Sequence, residues 1–314
     1  MRLLVWHVHG SWTTALVQGG HEYLLPIVDG GGEWGRGRCG RPWPSRAREV
    51  TPAQLREADL DAVVLQRPEE IDLAHRWLGR RPGTEVPAVF VEHNTPRGHA
   101  ATTRHPLADQ DAIPIVHVTH YNDLMWDSGI ADTVVIDHGI PDPGHHYTGE
   151  LDRVAVLVNE PRRRGRIVGT DLLPAFARAA PVDLYGIGVG EIALDGVNPV
   201  GDLPSAQLHT ELARRRVYVH TARWTSLGLS LLEAMQLGMP VVAVASTEAA
   251  TAVPPDAGVV STDVDRLTDA VRTFRSDPAL AQRAGKAARE HALAHFGLEE
   301  FLRRWDALLG SLSP

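Results

Sequence analysis

Lysine is nearly missing from this chain. Lys286 is the only one in 314 residues, so almost all of its positive charge is arginine. An anion site here must therefore be built from guanidinium forks or backbone amides. Cysteine is as scarce: Cys39 stands alone, which excludes an internal disulfide and a thiolate zinc cluster. There is no surplus of basic residues either. A net charge of −8 speaks against general nucleic-acid binding, since a phosphate backbone calls for a basic surface. Long apolar runs are also lacking. The N-terminal run Met1-Arg2-Leu3-Leu4-Val5-Trp6-His7 is too short for a signal-peptide core or a membrane span, and no other stretch does better. The expectation is a cytoplasmic protein with no transmembrane segment, peripheral membrane contact being left open.

What is present fits a globular α/β protein of one large or two ordinary domains, with 43% hydrophobic and 22% charged residues. Short β-branched runs recur at Leu3–Val8, Leu24–Val28, Ala62–Leu65, Ala88–Val91, Ile115–Thr119 and Val134–Ile136. A second set follows at Val154–Val158, Val182–Tyr185, Val217–Val219, Val241–Ala245 and Val259–Val260. Helical spacing fills many gaps, as at Glu69–Leu78, Leu172–Ala180, Ala206–Arg215 and Leu229–Leu237. This alternation predicts two doubly wound parallel sheets of roughly five strands each. Pro141-Asp142-Pro143-Gly144 interrupts regular structure and marks a boundary. The expected domains are residues 1–143 and 144–297. In the last segment, 298–314, Phe301, Leu302, Trp305, Leu308 and Leu309 share one helix face. The glycine-rich piece Gly30–Gly40 lacks a phosphate-loop pattern and is read as a flexible surface loop, with an acceptor flap as the alternative.

The most informative segment runs from Trp224 through Gly228-Leu229-Ser230-Leu231-Leu232-Glu233-Ala234-Met235 to Gly238 and Pro240. Its helix is apolar nearly all round and so should be buried, with Gly238 and Pro240 as stop signals. Glu233 in that setting must have a partner, because a bare buried carboxylate is costly. Ribose hydroxyls suit it; an ion pair with an arginine is the structural alternative. At the front, Gly228 allows close approach. The leading amides of Leu229 and Ser230 offer donors and about half a positive charge to a diphosphate.

This segment resembles the donor-site motif of the group 1 retaining glycosyltransferases, commonly numbered family 4. Val135-Ile136-Asp137-His138-Gly139-Ile140, Gly169-Thr170-Asp171-Leu172-Leu173-Pro174-Ala175-Phe176, Leu184-Tyr185-Gly186-Ile187-Gly188 and Val200-Gly201-Asp202-Leu203 resemble further pieces in the same order. The resemblance implies the GT-B fold, two Rossmann-like domains facing a central cleft, with the last helix packed back on the first domain. It implies a nucleotide-diphosphate sugar donor, a small-molecule or glycan acceptor, retention of configuration, and neither metal nor cofactor. Glu233 would hold the donor ribose, with Gly186 and Leu203 near the base. Two family residues are replaced: a glutamate by Thr225 and a lysine by Val168. The arginine run Arg162-Arg163-Arg164-Gly165-Arg166 lies close to the second, and Arg163 or Arg166 is expected on the diphosphate.

In the first half, the strand leading to His7-Val8-His9-Gly10-Ser11 should place the amides of Gly10 and Ser11 at a ligand site. His7 and His9 are read as core residues or acceptor contacts. His93, after Ala88–Val91, matches a family histidine near the reacting sugar and is expected in the active site, with His120 and its neighbours as a second polar rim. Other patterns are read as structural: Asp59-Leu60-Asp61, His145-His146, and the helical pair His291 and His295, which lacks a metalloprotease glutamate. Two other functions share these features: an inactive sugar-nucleotide binder, permitted by Thr225 and Val168, and a sugar-nucleotide epimerase. An NAD-dependent dehydrogenase is more remote, because Gly186-x-Gly188-x-Gly190 departs from the dinucleotide pattern.

Overall fold

Buried β-branched runs flanked by turn residues become parallel strands when helices cover both faces. The computed structural model describes residues 1–312 and shows this arrangement twice. One unit comprises Met1–Pro141 together with the C-terminal helix, and the other comprises Asp142–Gly297.

The first unit contains β1 (Arg2–Val5), α1 (Gly10–Leu16), β2 (Glu22–Pro26), β3 (Ala47–Val50), α2 (Pro52–Arg56), β4 (Ala62–Leu65), α3 (Glu69–Leu78), β5 (Ala88–Glu92), β6 (Ile115–His117), α4 (His120–Met125) and β7 (Thr133–Val135). Its seven strands are ordered β3-β2-β1-β4-β5-β6-β7, and every pairing is parallel. The core beneath α2 and α3 is built on Leu4, Leu24, Val63, Leu65, Phe90 and Ile115.

The second unit contains β8 (Leu151–Leu157), α5 (Pro161–Arg164), α6 (Leu173–Ala179), β9 (Val182–Tyr185), β10 (Val197–Gly201), α7 (Ser205–Arg214), β11 (Arg215–His220), α8 (Leu229–Leu237), β12 (Val241–Val244), α9 (Ala249–Ala252), β13 (Gly258–Ser261), α10 (Val264–Ser276) and α11 (Pro278–His295). Its six parallel strands are ordered β10-β9-β8-β11-β12-β13. A buried ion network ties the sheet to α7. Asp183 accepts from Arg153, Arg215 and Asn198, and Arg215 also reaches Glu211.

The final helix, α12 (Leu298–Ser311), belongs to the first unit. Trp305 is fully buried, edge-on to Trp12 of α1 at 5.6 Å between ring centres. Arg304 pairs with Asp137 at 3.2 Å. No helix among the described residues is long and apolar enough to cross a membrane.

Both sheets are larger than the expected five strands. The additions, β3 and β10, are edge strands without a continuous apolar run: β3 exposes Arg48 and Glu49, and β10 contains Pro199, tolerated because an edge strand has no ladder partner on one side. The first strand ends at Val5, so His7 and His9 lie in the following loop. Half of the glycine-rich loop is pinned. His7 bonds the Gly37 carbonyl at 3.0 Å, Glu49 accepts from the Arg38 amide, and Arg67 stacks over Trp34 at 4.0 Å.

Candidate active site

In doubly wound sheets, ligands bind at the carboxyl ends of the strands where the winding direction reverses. In the second unit that point lies between β8 and β11. The loops there are the arginine run, Asn159–Val168, and Thr221–Gly228, which leads into α8. They are stitched together. The amides of Arg223 and Trp224 donate to the Ile167 carbonyl, and Thr221 Oγ1 donates to Val168 O at 2.6 Å. Gly169, at φ 75°, packs its Cα against the Thr221 carbonyl, where a Cβ would collide. From the next strand, Ser246 Oγ donates to Ala222 O at 2.7 Å.

Helix α8 begins at Gly228 with no side-chain cap, so its leading amides have no intrahelical acceptor. Ser230 Oγ accepts from Tyr218, whose buried hydroxyl is held protonated by desolvation. One turn on, Glu233 is the only residue of the helix core that carries charge, its side chain 16% exposed. Its neighbour is His209 of α7, with Nε2 3.7 Å from the carboxylate, rather than an arginine. Thr225 is half-buried in the loop before the helix. At the neighbouring strand ends, the Gly186 amide donates to Gly201 O at 2.9 Å, and Leu203 follows. Gly186 takes φ 122° with its Cα against the Val158 carbonyl, which only glycine allows.

The arginines separate into distinct environments. Arg163 is exposed and bonded to Glu160, with Nε 2.6 Å from the carboxylate. Arg166 is exposed and paired at 2.7 Å with Asp171, which also holds Arg223. Arg162 pairs with Glu191. Arg164 alone in the run is half-buried and makes no side-chain hydrogen bond or close ion pair among the described residues, with Glu160 as its attractive neighbour. Burial first, then repulsion from Arg163, pushes its pKa down. Glu160 sits at φ 53°, a left-handed backbone unusual for a side chain of its kind and typical of a constrained site. Val168, where the resemblance expects a lysine, is buried in the core.

In the first unit the reversal point lies between β1 and β4. His93 is buried at the end of β5, its Nε2 3.1 Å from Gln66 Oε1, while the Gln66 amide donates to Trp6 O. Its ring packs on His9 at 4.0 Å and edge-on to Trp12 at 4.9 Å. Burial, then the neighbouring His9 and His138, holds its pKa well below the usual imidazole range. Glu92 supports this turn by accepting from the Asn94 amide and from buried His105. Gly10 and Ser11 open α1, but the Arg41 guanidinium lies against the Cα of Gly10. Gln66, Arg41 and His105 carried no sequence signal, for their roles depend on neighbours distant in the chain. The patterns read as structural have ordinary partners: Asp61 accepts from the Arg2 amide, and His291 stacks on His295 at 4.1 Å.

Residues 192–291 match the family described as Glycosyl transferases group 1. A curated relative, the lipopolysaccharide core biosynthesis mannosyltransferase LpcC of Rhizobium leguminosarum bv. viciae, is 32% identical over 141 residues. That match covers 44% of this chain and 38% of the relative. Among solved structures, sucrose-phosphate synthase from Thermosynechococcus elongatus superimposes with a TM-score of 0.73 at 15% identity, covering 99% of both chains. Anabaena HepE in complex with UDP gives 0.72 at 15% identity over 99% of both. Staphylococcus aureus TarM, in complex with UDP, Fondaparinux and alpha-GlcNAc-glycerol, gives 0.63 at 15% identity and covers 79% of this chain and 55% of its own. The segment that contains α8 is thus similar to the group 1 glycosyltransferases, and the two doubly wound sheets have the GT-B fold of these solved neighbours.

Proposed function

We propose that the chain transfers a glycosyl group from a nucleoside-diphosphate sugar to a small-molecule or glycan acceptor, with retention of configuration and without a metal ion. The observation that carries this reading is α8 itself: uncapped leading amides and, one turn later, a largely buried carboxylate facing no arginine. Phosphate oxygens suit the first and vicinal ribose hydroxyls the second. The fold's occurrence in proteins complexed with UDP, HepE and TarM, supports the donor class.

As the bond to the leaving diphosphate stretches, negative charge grows on its oxygens. Amides at Gly228, Leu229 and Ser230 are preorganised to meet that charge, and losing one such donor typically lowers turnover by about 10²- to 10³-fold. Arg163 and Arg166 must first leave Glu160 and Asp171 to take part, whereas Arg164 has no close pair to open. Gly186 and Leu203 are assigned to the base, Thr225 to the donor sugar, and His93, Gly10 and Ser11 to sugar or acceptor contacts.

The second reading, a sugar-nucleotide binder without turnover, is favoured by one feature. Thr225 and Val168 carry no charge where the resemblance expects an acid and a base, and burial of Val168 leaves no room to restore one. Thermal-shift measurements with UDP, GDP, ADP and dTDP sugars identify the donor, because a ligand that binds only the native state raises its melting point. Product analysis then separates the readings: transfer yields a glycosylated acceptor, and a binder yields none. Titration calorimetry tests the carrying observation. Glu233→Ala should weaken nucleoside-diphosphate binding by about tenfold or more, and unchanged affinity removes the ribose role.

A further inference from the structure

Beside α8 stands a histidine that the proposed reading leaves unused. His220 ends β11 and is 6% exposed, its ring stacked beside Tyr218 on the same strand. Its side chain has no hydrogen-bond partner among the described residues, and burial alone lowers its pKa, to about 4. Its ring nitrogens are not among the fully buried unpaired atoms, so they keep solvent contact and can exchange water for a ligand oxygen.

The direction of the ring places that ligand. A Cβ built on Gly228 would lie 2.5 Å from His220 Cε1, 3.3 Å from Nε2 and 3.4 Å from Nδ1. The nitrogen-bearing edge therefore faces Gly228, the uncapped start of a nine-residue helix. Gly228 has φ −70° and ψ 116°, which any residue adopts, so its backbone does not require glycine. The imidazole occupies the space a side chain would fill.

We propose that His220 contacts the diphosphate, its N–H joining the leading amides of α8 in holding the phosphate oxygens of a nucleoside diphosphate. This deepens the donor-site reading and rests on it. A neutral imidazole carries one N–H donor and, unlike a guanidinium, needs no counter-charge when the site is empty. It adds a donor beside the helix terminus where lysine is lacking and two arginines are already paired.

Calorimetry with UDP, and with GDP, ADP and dTDP in parallel, tests the assignment against the matching nucleosides. His220→Phe keeps a stacked ring and removes both nitrogens, while His220→Asn keeps an N–H. The phenylalanine variant should lose about tenfold or more in diphosphate affinity with nucleoside affinity unchanged, and the asparagine variant should stay within a few-fold of wild type. Wild-type diphosphate affinity in His220→Phe, or equal loss for the nucleoside, overturns the proposal. Should the phenylalanine variant fail to fold, ¹⁵N-histidine spectra of the unmodified protein decide. One imidazole signal, absent in His220→Asn, must move with UDP and not with uridine; no such movement overturns the contact. Binding weakened by Glu233→Ala but not by His220→Phe sinks this inference alone. A wild-type protein that binds none of the four nucleotides sinks the donor site as well.

Discussion

An arginine offers its full charge to a ligand only when no neighbouring carboxylate already holds it. In the run from Arg162 to Arg166 three guanidiniums are so held, by Glu191, Glu160 and Asp171. Exposed pairs of that kind are weak, so they do not bar ligand binding, but opening them lessens what each arginine contributes. Arg164 has only the more distant attraction of Glu160 and no close pair to open, and its partial burial strengthens any ion contact it makes. Arg164→Met should therefore reduce nucleoside-diphosphate affinity by about tenfold or more, as for other charge-assisted hydrogen bonds. Arg163→Met and Arg166→Met, each alone, should change it by less than about threefold, given the small net worth of exposed pairs. Titration calorimetry on the three variants checks this, and equal losses in all of them would point to a shared clamp instead.

At the scale of elements, α8 depends on how closely α11 crosses it. Gly285, in the middle of α11, lies against the backbone of Gly238 and Met239 at the end of α8, so a Cβ there would run into the Gly238 carbonyl. Gly238 itself ends the helix in a left-handed turn at φ 89°. Two effects compete in Gly285→Ala. Alanine favours a helix interior by about 1 kcal/mol, whereas overpacking typically costs about 1–3 kcal/mol. Because the obstacle is backbone rather than a flexible side chain, the second effect should win. The urea midpoint followed by circular dichroism should fall, with weaker nucleotide binding as α8 is displaced. A raised midpoint would show that α11 can move away without loss.

For the molecule as a whole, acid stability should be set by buried histidines. Burial is the largest cause of the low pKa of His7, His93, His117 and His138 in the first unit, to about 4 for His7 and His117 and about 3 for His138. The unfolded chain binds protons at these sites near its ordinary 6.5, and the folded chain does so only lower. Stability is therefore complete above about 6.5 and declines as pH falls toward the folded values, each group contributing up to about 1.4 kcal/mol per pH unit. Glu70 acts in the opposite sense. Burial raises it to about 7, so its native proton favours the fold below that value. Four histidines against one carboxyl leave a net loss on acidification. Tryptophan emission reports it well: only Trp224 of the eight tryptophans lies in the second unit. The urea midpoint by fluorescence should drop from about pH 7 to about pH 5; a constant midpoint would refute the histidine account.

Much of this architecture was legible in the linear chain because its code is short-ranged. The ends of α3 and α8, and of β4 and β9, follow from local periodicity and from stop signals such as Gly79 and Gly238. The placing of Glu233 one turn behind open amides is a property of helical spacing alone. Edge strands β3 and β10 escaped notice because a strand with one free edge needs no apolar run, and its extended form comes from the neighbour it pairs with. The state of each site residue was decided only in three dimensions. Arg223 lies 52 residues from Asp171, and Gln66 lies 27 from His93, yet these contacts determine which cation has a close pair and how an imidazole is held. Residue type and spacing determine which groups a helix or strand end can present. Charge pairing and desolvation depend on whatever packs beside them, and only the folded chain brings those neighbours together.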